Sequence, residues 1–264
     1  MIEATYDPAS GLIKLGLAAT LLAITIAISH IKRLRLSREL GIAAVRGFLQ
    51  LMAVALVITA VFQSESLLLV LLILSLMLMI AAHTSAKRAE RLPCPFAVTL
   101  PAISIGASST LMAMVVIGVI PTEPEFVIPI GSMIIGGSMV VCSLTLERLV
   151  GEVSSNRDRI ETSLCLGASS KEALEPYARQ GVAASLIPSI DSLKTLGIIV
   201  IPGAMSGMII GGVNPLWAAE YQLIISFMFL AANITTTILA THLAERYLFT
   251  EAHQLIVRGI EEAR

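Results

Sequence analysis

Residues 67–82 read LLLVLLILSLMLMIAA, with no charge and one hydroxyl, Ser75. Nothing in that run alternates polar and apolar residues, so it is not a half-buried strand; its length and uniform hydrophobicity suit a helix surrounded by lipid. The whole chain reads the same way. It has 264 residues, 56% hydrophobic and only 14% charged, with a mean hydropathy of +0.85. Soluble domains carry roughly 25% charged residues. A soluble globule of this size cannot hide so much apolar surface, which excludes a soluble enzyme, a nucleic-acid binder and a disordered chain.

Six further apolar runs flank the first one. The spans are expected at 11–29, 41–61, 67–82, 98–120, 126–146, 187–212 and 218–243, with a polar stretch over 147–186. Lipid offers no partners to backbone N–H and C=O groups, so the expected fold is an all-α integral membrane protein of about seven transmembrane helices. The first ten residues carry Glu3 and Asp7 and no basic n-region, so a cleavable signal is not expected.

Loop charge sets the expected orientation. The loops 1–10, 62–66, 121–125 and 213–220 hold Glu3, Asp7, Glu65, Glu123, Glu125 and Glu220, and no Lys or Arg. The opposite loops hold Lys32, Arg33, Arg35, Arg38, Lys87, Arg88, Arg91, Arg148, Arg157, Arg159, Lys171 and Arg179, and the tail adds Arg246, Arg258 and Arg264. The basic side is expected in the cytoplasm, with the N-terminus outside and the C-terminus inside. Cys94, Cys142 and Cys165 have neither a disulfide setting nor metal-ligand spacing.

The 147–186 segment is the one sizeable polar piece. Leu149, Val153, Ile160 and Leu164 form a narrow apolar stripe, with Asn156 in its gap. Gly167 suits a helix stop. Ser169 and Glu172 form a capping box for a second helix bearing Ala173, Leu174, Tyr177 and Ala178 on one face. Two short amphipathic helices are therefore expected at the cytoplasmic surface, either resting on lipid or docking into a partner. Glu161 stands six residues before Gly167, which resembles a degenerate form of the EAA coupling element of ABC-transporter permeases. Thr162 and Ser163 replace its two alanines, and the downstream Ile-x-Leu-Pro is missing.

Polar groups inside the spans are candidates for function. Arg46 and Gln50 lie one turn apart on span two, where Arg46 could instead snorkel to the interface. Asp191 and Lys194 are spaced for a local ion pair. Asn233 with Thr235, Thr236 and Thr237 makes span seven polar on more than one side, although threonines also bond to their own helix. In span six Gly203, Gly207 and Gly211 make a smooth strip for close helix packing, and Pro202 is expected to kink the helix. A moving part and tight static packing both fit that strip. Met205 and Met208 offer thioethers to soft metals, though methionine more often fills a core. His83 and His242 sit at span ends, which leaves no deep Ser–His pair for an intramembrane protease. No Gly precedes a Lys, so a G-x-x-x-x-G-K-[ST] phosphate loop is absent from the sequence.

Several stretches together resemble the FetB-like ABC permeases: Val45-Arg46-Gly47 through Gln50-Leu51, Leu166-Gly167-Ala168-Ser169, Ile187-Pro188-Ser189-Ile190-Asp191-Ser192-Leu193, Gly197, Ile201 through Gly207, Gly211-Gly212, Pro215, Ala218, Tyr221-Gln222, Phe249-Thr250 and His253-Gln254-Leu255. Most of the chain is covered. The family often reads Leu-Pro-Gly-Met-Met-Thr-Gly-Gln in span six, and this chain departs at Ile201, Ala204, Ser206 and Met208. The loss of a polar side chain at Met208 leaves the cargo open. The resemblance implies a single permease domain over 1–264, located in the plasma (inner) membrane and linked to iron export and oxidative-stress resistance. Plant relatives are linked to aluminium tolerance.

The implied partners are a FetA-type ABC ATPase and a second permease copy, in a membrane and without nucleic acid. No cofactor is expected on this chain, which would not be an enzyme, because ATP would be hydrolysed by the partner. Expected substrate contacts are Arg46, Gln50, Met205 and Met208; expected coupling residues are Glu161, Gly167, Ser169 and Glu172; expected packing or hinge residues are Pro202, Gly203, Gly207 and Gly211. A motor-free carrier and a membrane scaffold are the alternatives.

Overall fold

A computed structural model describes residues 8–32, 37–64, 66–250 and 253–256. Glu3, Asp7, Arg33, Arg35, Glu65, Arg258 and Arg264, used above to read orientation, lie outside the described residues. Among the described residues the regular elements are helices: α1 (Pro8–Ile31), α2 (Ser37–Ser64), α3 (Leu67–Arg88), α4 (Pro95–Val116), α5 (Pro124–Ser155), α6 (Arg157–Cys165), α7 (Ser170–Lys194), α8 (Gly203–Ile210) and α9 (Pro215–Leu248). The chain divides into two compact units, Met1–Ser64 and Glu65–Arg264. In the first, α1 packs beside α2, and both expose long rows of Leu, Ile and Val.

Among the described residues six helices are long and apolar enough to cross a membrane: α1, α2, α3, α4, α5 and α9. The expected span at 187–212 is not one helix. Helix α7 runs unbroken from the polar segment to Lys194, so the second amphipathic helix is neither short nor separate. The chain then turns over residues 195–202. The Thr195 carbonyl accepts the N–H groups of Ile198, Ile199 and Val200, and Gly197 takes φ +77. Pro202 has no N–H to continue a helix and biases Ile201 away from the helical region. It therefore precedes α8 as its N-cap and does not kink a continuous span. Hydropathy registers none of this, because the turn residues Ile198 to Ile201 are all apolar.

In the second unit α9 is the central post, contacting α4, α5, α7 and α8. Its 34 residues and the 32 of α5 reach ~51 and ~48 Å, well beyond a hydrocarbon layer of ~30 Å. Small residues set the close approaches. A Cβ on Gly106 of α4 would lie 2.0 Å from Thr236 Oγ1 and 3.0 Å from the Thr236 backbone nitrogen of α9. Gly137 of α5 receives the Phe229 ring, and Gly181 of α7 lies against the Leu149 backbone of α5.

Hydroxyls tie the same helices together. Ser143 donates to Ser85 at 3.1 Å, and Thr99 donates to the Ala82 carbonyl at 2.9 Å. Thr145 Oγ1 lies 3.1 Å from Ser185 Oγ and 3.3 Å from Thr237 Oγ1. The largest core gathers at the charged end: Leu149, Val150 and Val153 of α5, Ile160 of α6, Leu174 of α7 and Leu248 of α9, all buried. The polar segment is thus built into the bundle: the expected break near Gly167 is observed between Cys165 and Ser170, and a further break at Asn156, which the stripe did not indicate, separates α5 from α6.

A Gly106→Val chain should lose thermal stability in detergent, by about 1–3 kcal/mol for overpacking, because α4 and α9 must separate. Gly136→Ala, whose added Cβ meets nothing within 4 Å, is the control and should melt with the wild type.

Candidate functional site

Two features of the second unit combine exposed or unsatisfied chemistry with a rigid support. The first is the α6–α7 hairpin. Its inner side is anchored by the buried Ile160 and by Leu164, both on the core. On its outer side Glu161 accepts from Arg157 Nε at 2.6 Å, an i,i+4 pair whose side chains are both partly exposed. Gly167 makes the turn at φ +94, with its N–H bonded to the Leu164 carbonyl. Only glycine takes that left-handed conformation without strain. The turn presents Leu166 at 84% exposure.

Ser169 then starts α7 through a reciprocal box. Glu172 N–H donates to Ser169 Oγ at 3.3 Å, and Ser169 N–H donates to Glu172 Oε2 at 2.9 Å. The Ser169 hydroxyl also donates to that carboxylate at 2.7 Å, and these bonds hold the Glu172 carboxyl below its ordinary value. Sequence reasoning located this box but missed two residues. Leu166 entered only through the family resemblance, with no role of its own. His253 lies 83 positions away, yet its Nδ1 is 2.6 Å from Ser170 Oγ. The tail reaches that point because Phe249 bridges to Leu255, and both pack on the core.

The second feature is a cavity of about 240 Å³ between α5, the end of α7, the 195–202 turn and α9. Its wall includes Met133, Ser189, Ser192, Gln222, Ser226 and Phe229. Gln222 is buried. Its Nε2 donates to Ser226 Oγ at 3.3 Å, the Ser226 hydroxyl donates to the Gln222 carbonyl at 2.8 Å, and Gln222 Oε1 has no partner among the described residues. Asn233, farther along α9, donates to Ser189 Oγ at 3.0 Å and likewise leaves its Oδ1 unpartnered. Periodicity marked Asn233 as polar in a span. Gln222, Ser189 and Ser192 drew attention only as part of a resemblance, and Ser226 was not singled out.

The other expected residues fall elsewhere. Arg46 and Gln50 share an exposed groove on α2, in the first unit, with Ile42, Val45 and Leu49. Met205 and Met208 are half-buried on α8 and do not line the cavity. A Cβ on Gly203 or Gly207 would meet nothing within 4 Å, so among the described residues their strip is open and not packed against a helix. Gly211 lies near only its own helix's carbonyls. Asp191 and Lys194 do pair, at 3.6 Å on the surface. No group of three or more His, Cys, Asp or Glu side chains that could hold a metal occurs among the described residues.

Residues 12–249 match the model of an uncharacterised protein family, UPF0014. The chain belongs to the UPF0014 family. Three of its relatives are named as membrane proteins, and with six helices of spanning length among the described residues this chain is a multi-pass membrane protein. It is 35% identical to the probable iron export permease protein FetB of Escherichia coli, over 94% of this chain and 96% of the relative. It is 34% identical to the UPF0014 membrane protein STAR2 of rice, over 93% of this chain and 86% of the relative. With the protein ALUMINUM SENSITIVE 3 of Arabidopsis it shares 32% identity, over 93% of this chain and 90% of the relative. No solved structure matches the chain.

The pH dependence of the α7 start follows from Glu172. Its folded-state pKa is lowered, so the capping contribution is complete above the unfolded carboxylate range and disappears as the pH falls through the folded value. Hydrogen exchange of amides 170–173, corrected for intrinsic rates, should show protection at neutral pH that fades in acid. Ser169→Ala should lack the protection at every pH.

Proposed function

We propose that this chain is the membrane-spanning permease subunit of an ABC transporter that exports iron or another metal ion, with ATP hydrolysed by a separate FetA-like subunit. The observation carrying the reading is the α6–α7 hairpin, a rigid, capped turn with an exposed leucine at its tip. That is the form a plug for a groove in a partner requires. The E. coli relative, matched along nearly its whole length, supports metal export by its name. The aluminium in the name of the Arabidopsis relative keeps the cargo at the level of a metal ion.

In this reading the chain works as one permease domain in the plasma (inner) membrane, as a homodimer with two ATPase subunits. It crosses seven times, N-terminus outside and C-terminus inside. The sixth crossing is the discontinuous one: the second half of α7, the 195–202 turn and α8. Glu161, Gly167, Ser169 and Glu172 shape the coupling hairpin. Pro202, Gly203, Gly207 and Gly211 make α8 a separately movable piece, whose open glycine face a second copy would cover. Arg46, Gln50, Met205 and Met208 are kept as candidate cargo contacts. No cofactor belongs to this chain, and it is not itself an enzyme.

The test is co-purification from native membranes in mild detergent. Wild type should bring down an ATP-hydrolysing subunit, and Leu166→Glu should lose it while remaining monodisperse. Gly167→Val, strained by ~1–2 kcal/mol at a left-handed position, should uncouple ATP hydrolysis from metal export. An ATPase-free wild-type preparation, or full coupling in both variants, would remove the reading and favour a motor-free carrier.

A further inference from the structure

The last turn of α3 carries Lys87 and Arg88, and the turn that follows carries Glu90 and Arg91. With Glu147 of α5 these residues line one cleft of about 330 Å³, whose floor includes Leu146 and Val150. The support is rigid. About one helical turn below, Ser143 of α5 donates to Ser85 of α3. Ala89 and Leu92 are buried in the core, which leaves Glu90 and Arg91 exposed between them.

All five charged side chains are exposed, and none of them makes an ion pair or a hydrogen bond among the described residues. Three cations and two carboxylates thus share a cleft without neutralising one another. Snorkelling explains basic residues at the end of a span. It does not explain two carboxylates set among them.

Depth places the cleft among lipid headgroups. From Leu67 to Lys87 α3 rises ~30 Å, the thickness of a hydrocarbon layer. Leu76 and Ile80 lie on the Lys87 face of α3, and Val140 lies on the Glu147 face of α5; all three are exposed. An apolar track therefore leads up to a cleft of mixed charge.

The chemistry selects a headgroup that carries both signs. Arg88 and Arg91 offer guanidinium forks to a phosphate, and Lys87 adds a point charge. Basic clefts between spans are a recurrent setting for lipid headgroups. Glu90 and Glu147 can accept from a primary ammonium, which brings three N–H donors, whereas a trimethylated ammonium brings none. A headgroup with only negative charge would be repelled by the two carboxylates.

We propose that this cleft binds a phospholipid whose headgroup joins a phosphate to a primary ammonium, as in phosphatidylethanolamine, with its acyl chains along Leu76, Ile80 and Val140. The assignment rests on the membrane placement of α3 and α5 and not on the transporter reading. A bound lipid ties α3 and its following turn to α5 at the end of the unit that carries the α6–α7 hairpin, since Val150 of the cleft floor and Ile160 of the hairpin share one core.

The experiment is native mass spectrometry of the full chain in detergent, without an ATPase subunit, titrated with dioleoyl phospholipids that differ only in headgroup: ethanolamine, choline or glycerol. Wild type should hold one ethanolamine lipid per chain about tenfold more tightly than either of the others, the worth of one charge-assisted hydrogen bond. Glu147→Gln should lose most of that preference. Arg88→Gln with Arg91→Gln should weaken the ethanolamine and glycerol lipids alike, by about tenfold or more. Arg159→Gln, which removes an exposed basic residue outside the cleft, should change nothing. Glycerophosphoethanolamine, the same headgroup without chains, should compete only at concentrations about a hundredfold higher, because it buries no apolar surface. Gel filtration and thermal melting identify any variant that fails to fold, and the Glu147→Gln preference is a ratio within one variant, so a change in stability leaves it readable. Equal binding of the three lipids by wild type, an unchanged preference in Glu147→Gln, or the same loss in Arg159→Gln overturns the proposal and leaves the five charges to a protein partner. Equal competition by glycerophosphoethanolamine overturns the lipid and leaves a soluble headgroup as the ligand.

Discussion

Once helices are in a bilayer, hydrophobicity no longer draws them together, because lipid tails solvate leucine as well as another helix does. What remains is close van der Waals contact and hydrogen bonding, and the second unit depends on both at one place. Gly106 of α4 lets the backbone of α9 approach at Thr236, and from there α9 reaches α5 through Gly137 and Phe229. The hydroxyl pairs Ser85–Ser143 and Thr145–Ser185 form at the contacts of α3 with α5 and of α5 with α7. Without the small residues the helices would stand too far apart for hydroxyls to meet.

The same packing changes the meaning of the polar segment. An amphipathic stripe by itself suggests a helix lying on lipid. Here Ile160, Leu174 and Leu248 close a core over the charged ends of α5, α7 and α9, and the C-terminal hook adds Phe249 and Leu255. Because α7 is one helix of ~37 Å from Ser170 to Lys194, the hairpin turn and the wall of the cavity are the two ends of a single rod. In the transporter proposed above, a movement at the turn would reach the cavity wall along one continuous helix, with Pro176 and Pro188 as the places where it can bend.

The residues that sequence reasoning weighed unevenly share a cause. Ser169 and Glu172 were legible because a capping box is local, three residues apart and stereotyped. The Asp191–Lys194 pair was legible for the same reason. Gln222 was not, because its significance lies in what its oxygen lacks, and that depends on Ser226, on α7 and on a turn some 20 residues earlier. His253 and Ser170 meet only through a fold-back of the tail. The glycine strip of α8 was legible as a spacing, but its partner was not: among the described residues nothing packs on Gly203 or Gly207.

Composition and charge alone determined that the chain lives in a membrane, that it is helical, and where its polar segment lies. These follow from one-body costs, the transfer of each residue between water and lipid, which add up along the chain. Only the tertiary structure decided that 187–212 is broken and not one continuous helix, that the polar segment is part of the core, and that two carbonyl oxygens on α9 stand without partners among the described residues. Those outcomes are pairwise: a turn forms where Gly197 and Pro202 interrupt the helix whatever the hydropathy, and an amide is satisfied or orphaned according to which helix lies opposite.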